Sequence, residues 1–213
     1  MEITWYGHSC FRLMERSVAS IVADPFDESI GYQLPNLRAD IVTVSHYAPG
    51  HATYEHVKKV NYVLDRPGEY EIGGVFITGV ATYHPNPEEG NGHRNIIFVY
   101  NFDDIVVGHL GDLDHVPTQA QIEQLGDINV LLVPVGGGGG LNSSQASEVI
   151  SLIEPSIVVP KHYATPECIL DLDPLDKFLG EMGVSTIEMQ DSLKVRGSNL
   201  TDGTEIVVLN AQQ

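Results

Sequence analysis

The 213 residues include 42% apolar and 19% charged side chains with 21 Gly and 12 Pro, enough for one sizeable core in a turn-rich globular domain and unlike a disordered chain. A formal net charge of −18, from 29 acidic against 11 basic residues, argues against nucleic acid and anionic lipid as partners, both being polyanions. Cys10 and Cys168 fit free thiols in a reducing compartment, "MEITWYGHSC" lacks a signal-peptide pattern, and no apolar run nears the ~20 residues of a membrane span, so a cytoplasmic location is expected.

Short strands are expected at residues 3–6, 9–13 and 19–23, the last closing on the turn signal Asp24-Pro25. Residues 40–44 are almost continuously apolar, which predicts a strand buried on both faces, and they end at Ser45-His46-Tyr47-Ala48-Pro49-Gly50-His51. A short helix over 53–59 follows. Strands at 62–64, 69–72 and 75–82, separated by Pro67-Gly68 and Gly73-Gly74, are spaced like hairpins, and "NIIFVY" and "DIVVGHL" continue them after Asn95.

From there helix and strand alternate. Helix 117–125 has proline in its first turn, strand 130–135 is buried, and helix 142–153 opens on the cap candidates Asn142, Ser143 and Ser144. Strand 156–160, helix 174–182 stopped by Gly183, and strands 186–189, 193–195 and 205–209 complete the chain. No linker or charge block divides it, so 1–213 is expected to be one domain. Two sheets with a few helices outside, a four-layer αββα sandwich of the α/β class, satisfy this order, although periodicity alone does not choose it over other mixed folds.

Several polar residues obey one rule: each stands just past an apolar strand. His46 and His51 follow "DIVTV", His84 follows "VFITGVATY", Asp112 follows "IVVGHLG", and His162 follows "SIVVPK". Rigid strand ends hold side chains to the tolerance a metal centre needs, and imidazoles with a carboxylate suit zinc, manganese or iron.

The ordered series "ITWYGHSCFRL", "VADPF", "ADIVTVSH", "PGEYEIGGVFITGV", "TYH", "VVGHLGDLDH", "VLLVPVGG" and "EPSIVVPKHY" resembles the metallo-β-lactamase superfamily. Within it, the branch of small cytosolic hydrolases similar to ascorbate-6-phosphate lactonase is the nearest in pattern. The resemblance implies an αββα sandwich with up to two metal ions at the shared rim, bound by a His-x-His-x-Asp-His loop, a further histidine, a bridging aspartate and a last histidine. By position, those ligands are His46 and His51 in the loop, His84, Asp112 and His162. The loop departs from the pattern at two places, with Ala48 at its middle histidine and Gly50 at its aspartate. His51, Asp112 and His162 remain as a trio with an open position, the arrangement of catalytic zinc, so one ion is expected, and two are not because Asp112 cannot serve both pockets fully. The missing aspartate would also have oriented the attacking water, so its loss weakens hydrolysis.

Other features carry less. Gly136–Gly140 ahead of Ser143 and Ser144 lacks the Lys-Ser/Thr ending of a phosphate-binding loop and fits a rim loop of the site better. His8, in "GHSC", matches a histidine found near the site in this branch and is either a supporting or substrate-facing group or a packed one. His109 and His115 flank Asp112 and offer compensation for a lost ligand; His56 fits a solvent-facing position; His93 and Arg94 form a basic spot suited to an anionic substrate or an ordinary solvated loop.

The function implied is hydrolysis of an ester, lactone or phosphoester by a single zinc, or manganese or iron, through a metal-bound hydroxide. His46, His84 and Asp112 are the expected catalytic groups, with a small-molecule substrate. The competing reading is a non-catalytic ligand-binding or assembly protein on a degraded hydrolase fold. Nothing in the sequence fixes an oligomeric state.

Overall fold

In the computed structural model, which describes residues 1–48, 50–84, 94–201 and 203–213, strand direction determines where the polar residues gather. The chain begins with β1 (Glu2–Trp5), β2 (Phe11–Met14), β3 (Ile21–Ala23), β4 (Ile41–Thr43) and β5 (Tyr62–Leu64). It continues through β6 (Gly68–Ile72), β7 (Val75–Thr82), β8 (Asn95–Asn101), β9 (Val106–His109), α1 (Gln119–Leu125), β10 (Val130–Pro134), α2 (Ser143–Ile153) and β11 (Ile157–Lys161). It closes with α3 (Leu175–Glu181), β12 (Met189–Gln190), β13 (Leu193–Lys194), β14 (Glu205–Ile206) and β15 (Val208–Leu209).

The first sheet has the order β13-β1-β2-β3-β4-β5 and the second β14-β11-β10-β9-β8-β7-β6, while β12 and β15 pair apart. Since β1 is antiparallel to β2, β2 antiparallel to β3, and β3 parallel to β4, the C-terminal ends of β1, β3 and β4 share one rim. The same reasoning brings together the C-terminal ends of β7, β9, β10 and β11. Every polar residue predicted at a strand end therefore belongs to one of these two rims.

Period-two alternation gives the first sheet two apolar faces. Ile3, Leu13, Ile21 and Ile41 join the core shared with Ile97, Val107 and Leu132 of the second sheet. Val22 and Val42 point the other way, into a smaller cluster with Phe26, Tyr32, Leu37 and Val57. β8, β10 and β11 are buried through nearly their whole length, as their continuous apolar runs require.

The αββα layering is met with a difference on one side. α1 packs on β7, α2 on β10 and α3 on α2, so the α-helices serve the second sheet. The first sheet is covered instead by the chain around residues 26–39 and 53–57, which contains only the 3₁₀ turns Glu28–Ile30 and Tyr54–His56. The helix expected over 53–59 is thus one 3₁₀ turn; Thr53 makes no side-chain cap bond, and a short segment has little to offset helix nucleation. α1 starts later than expected because Thr118, not Pro117, caps it, exchanging bonds with Gln121. α2 begins at Asn142 with the equivalent box to Gln145. The strand expected over 205–209 divides into β14, paired with β11, and β15, paired with β12.

The two rims touch at Gly111, just after β9. Its φ of +59° is a left-handed conformation, and a Cβ there would overlap Asn95 Oδ1 and lie 2.6 Å from Cβ of Ser45, which belongs to the first sheet's rim. Gly111→Ala is expected to destabilise the protein by about 2–4 kcal/mol, combining overpacking with the left-handed penalty, and to lower the thermal and urea midpoints together. A wild-type midpoint would show that the rims have room between them.

Candidate metal centre

β4 delivers Ser45, His46 and His51 to the first rim, and the turn joining β1 to β2 brings His8 beside them. From the second sheet come Asp112, three residues beyond β9, and His162, the residue after β11. Nε2 of His51 and Nε2 of His162 lie 3.1 and 3.3 Å from Oδ2 of Asp112, and Nε2 of His8 lies 2.9 Å from Nε2 of His51. Ligand atoms of His8, His51, Asp112 and His162 all fall within 4.8 Å of one another, and all four residues are buried.

The surrounding hydrogen bonds fix these side chains. Asp24, at the end of β3, accepts from the Ser45 N–H at 2.7 Å and the Ser45 hydroxyl at 2.6 Å, and its Oδ2 lies 3.2 Å from Nδ1 of His51. Nδ1 of His51 therefore donates to a carboxylate while Nε2 faces the cluster, the support usual for a metal-binding histidine. The hydrogen of the Ser45 hydroxyl is committed to Asp24, so its oxygen accepts from Nδ1 of His46 at 3.1 Å. That leaves Nε2 of a neutral His46 without a proton, 3.9 Å from Oδ2 of Asp112.

Behind Asp112 stands a fully buried lysine. Lys161 donates to the Gly111 carbonyl at 2.6 Å and to the Ser9 hydroxyl at 2.8 Å, and that hydroxyl donates on to Oδ1 of Asp112 at 3.5 Å. The Asp112 backbone N–H donates to Oδ1 of Asn95 at 3.0 Å, which ties the loop after β9 to the start of β8.

Burial and charge pull against each other here. Burial raises the Asp24 carboxyl, but the His51 hydrogen bond and, at the acid pH where Asp24 titrates, the charges of His109, His51 and Lys161 outweigh it and hold Asp24 at about 2. Burial lowers His51, whereas Asp112 and Asp24 raise it, to about 9. Asp112 is held well below the usual carboxylate range because His162 and His51 outweigh its burial. His46 falls to about 4 through burial and the charge of His51, and burial, aided by His162 and His51, takes His8 well below the ordinary histidine value. Lys161 is lowered to about 8, burial outweighing Asp112 and Asp24.

The donor chemistry fits a cation. Donors that share one ion at about 2.0–2.1 Å would stand roughly 3–3.5 Å apart, close to the 2.9, 3.1 and 3.3 Å found between neighbouring donors here. Without an ion, His8 and His51 place two Nε2 atoms at 2.9 Å where one proton serves both.

Of the residues singled out in the sequence, His51, Asp112 and His162 meet at this centre, and His46 stands at its edge. His84 is not among the four residues whose donor atoms converge; it is half-buried, with its ring 5.4 Å from that of His115, which pairs with Asp114 at 2.7 Å. His109 is neutral, at about 4 through burial and the charge of Lys161; its Nδ1 accepts from the Gly111 N–H and its Nε2–H donates to the Ser9 carbonyl, so neither nitrogen is available to a metal. Gly136 packs on the His162 carbonyl, which places the glycine loop on this rim. His93 lies outside the described residues. Asp24, Ser9 and Lys161 were not singled out, although Asp24 obeys the same strand-end rule as the histidines.

A cavity of about 300 Å³ opens beside His46, lined by Val44, Tyr47, Asp65, Tyr83 and Arg94. Tyr47 donates to the Asp65 carboxylate at 2.7 Å, and Arg94 donates to the Asp65 carbonyl at 3.0 Å.

A family model described as a β-lactamase superfamily domain matches residues 2–162. A Thermotoga maritima structure, classed among the Zn-dependent hydrolases of the metallo-β-lactamase superfamily, is 40% identical with a TM-score of 0.80, over 98% of this chain and 97% of that one. Metal-dependent hydrolases of the UPF0173 group from Thermococcus kodakarensis and Methanocaldococcus jannaschii are 26% and 27% identical. These alignments cover 85% and 87% of this chain and 93% and 95% of the relatives.

Asp24→Asn is expected to cost the metal-free protein about 3–5 kcal/mol, as for a broken buried pair, read from urea unfolding at pH 7. The folded value of about 2 lies below the 3.8 of an ordinary aspartate, so the wild-type contribution is complete above pH 3.8 and fades as pH falls toward about 2. The variant should therefore lack that acid limb. Parallel wild-type and variant curves between pH 4 and 2 would refute the assignment.

Proposed function

The chain belongs to the metallo-β-lactamase superfamily, and from that premise we propose that it is a metal-dependent hydrolase of a small molecule, holding one divalent transition ion through His51, Asp112 and His162. The observation that carries the proposal is the convergence of Nε2 of His51 and His162 on one oxygen of Asp112, at 3.1 and 3.3 Å. The relatives described as metal-dependent hydrolases support the same class of reaction. Zinc suits this nitrogen and oxygen donor set best, with manganese and iron as alternatives. When bound, such an ion lowers the pKa of a coordinated water to about 7 and polarises the bond under attack.

The chain's own groups supply the rest. His46 presents an unprotonated Nε2 at the edge of the cavity, and it takes up the proton from the attacking water. Asp112, held by Asn95 and by Lys161 through Ser9, orients that water and keeps the donors in place. His84, next to Tyr83 of the cavity wall, is assigned to the substrate oxygen that gains charge. An ester, lactone or phosphoester is the substrate class, and Arg94 at the cavity favours an anionic one. A cytoplasmic setting is supported by the two free thiols and by the lack, among the described residues, of a helix long and apolar enough to cross a membrane.

Elemental analysis after reconstitution should find close to one equivalent of metal in wild type and less than roughly a tenth of that in Asp112→Ala. His46→Ala should keep its metal and lose about 10²–10⁴-fold in kcat on the lactones and phosphoesters that wild type hydrolyses. Protein that takes up no zinc, manganese or iron would overturn the proposal. Equal background rates for wild type and His162→Ala would leave a binding protein in its place.

A further inference from the structure

We infer that His8 is the fourth protein ligand of this metal, an imidazole standing where the loop's missing carboxylate would reach, so that the attacking water would enter as a fifth ligand. The inference rests on the metal-binding function proposed above and concerns a residue outside the histidine loop.

Three independent features carry it. The first is aim: Nε2 of His8 belongs to the same tight group of donor atoms as His51, Asp112 and His162. The His8 ring lies 4.6 Å from that of His51 and 4.4 Å from that of His162, centroid to centroid. The second is space. A Cβ built at Gly50 would sit 3.2 Å from both Nε2 and Cδ2 of His8 and 3.0 Å from Ile30. A carboxylate on residue 50 and the imidazole of residue 8 would compete for the same volume, and this chain has glycine at 50, with φ +90°, and histidine at 8.

The third feature is the backbone. His8 is a non-glycine residue at φ +48°, a conformation of appreciable cost that persists only when its surroundings enforce it. They do: the His8 carbonyl accepts from Nε1–H of Trp5 at 3.0 Å and from the His162 N–H at 3.2 Å. The turn carrying His8 is thus bonded directly to the backbone of another ligand, and its ring is buried with Nδ1 unpartnered. Packing alone does not account for the aim of the ring, since it gives no reason for Nε2 to stand among three other donor atoms.

Exchanging a carboxylate for an imidazole also alters the charge of the centre. Three neutral imidazoles and one carboxylate leave a divalent ion with one net positive charge, whereas two of each leave none. The site is thereby biased toward anionic ligands.

The test uses full-length protein loaded with Co(II) or Zn(II). X-ray absorption should count three imidazoles in wild type, three in His46→Ala and two in His8→Ala. Chelator competition should show His8→Ala binding zinc more weakly by at least the roughly 10–100-fold that an outer-shell partner is worth, and its Co(II) visible spectrum should change. If His8→Ala does not fold, three imidazoles in the His46→Ala/His84→Ala double variant still establish His8 as a ligand, because His51 and His162 supply only two. Two imidazoles in His46→Ala, or wild-type affinity and spectrum in His8→Ala, would overturn the role of His8 while leaving the metal site standing. Wild type that binds neither ion would overturn both.

Discussion

Two carboxylates, Asp24 and Asp112, are buried where the sheets meet, and the arrangement of the rim follows from the need to compensate them. An unpaired carboxylate in such a place costs several kcal/mol, so each must be surrounded by donors and positive charge. Asp24 is served by the Ser45 backbone and hydroxyl and by His51. Asp112 is served by Lys161 through Ser9 and by two imidazoles, while its backbone N–H anchors it on Asn95. Those partners come from the ends of β1, β4, β8 and β11, so electrostatics and strand topology agree on one geometry.

Without a metal, the balance is kept by Lys161 and by a protonated His51, raised to about 9 between its two carboxylates. His51 must surrender its Nε2 proton before it can offer a lone pair, so uptake of a cation is an exchange of charge rather than a simple addition. Asp24 eases that exchange because it holds the Nδ1 proton in either state. His46 is not part of this exchange, since burial and the charge of His51 keep it neutral while Ser45 holds its Nδ1 proton.

Much of this was legible in the sequence, and the limits have physical causes. The runs that became β4, β9, β10 and β11 are largely apolar because both faces are covered, and the residues after them pointed to the rim. Asp24 carries the same signal after β3, but followed by Pro25 it reads equally as a turn. The placement of His8 was not legible, because it depends on Gly50 across more than forty residues and no local pattern encodes such a contact. Lys161 sits in an apolar strand, where spacing gives no hint that Ser9 and Gly111 would receive its ammonium. The segment over 53–59 has helix-compatible residues but no cap, and its place is set by the outer face it covers.

The cluster divides evenly between the sheets: His8 and His51 belong to one, Asp112 and His162 to the other. A group bound by all four acts as a cross-link between halves of the chain that are distant in sequence. Its binding energy would then resist the shearing of one sheet over the other at this rim, while the far rim gains nothing directly. The two ends of the molecule would soften at different temperatures, and the difference between them would measure how tightly the cross-link holds.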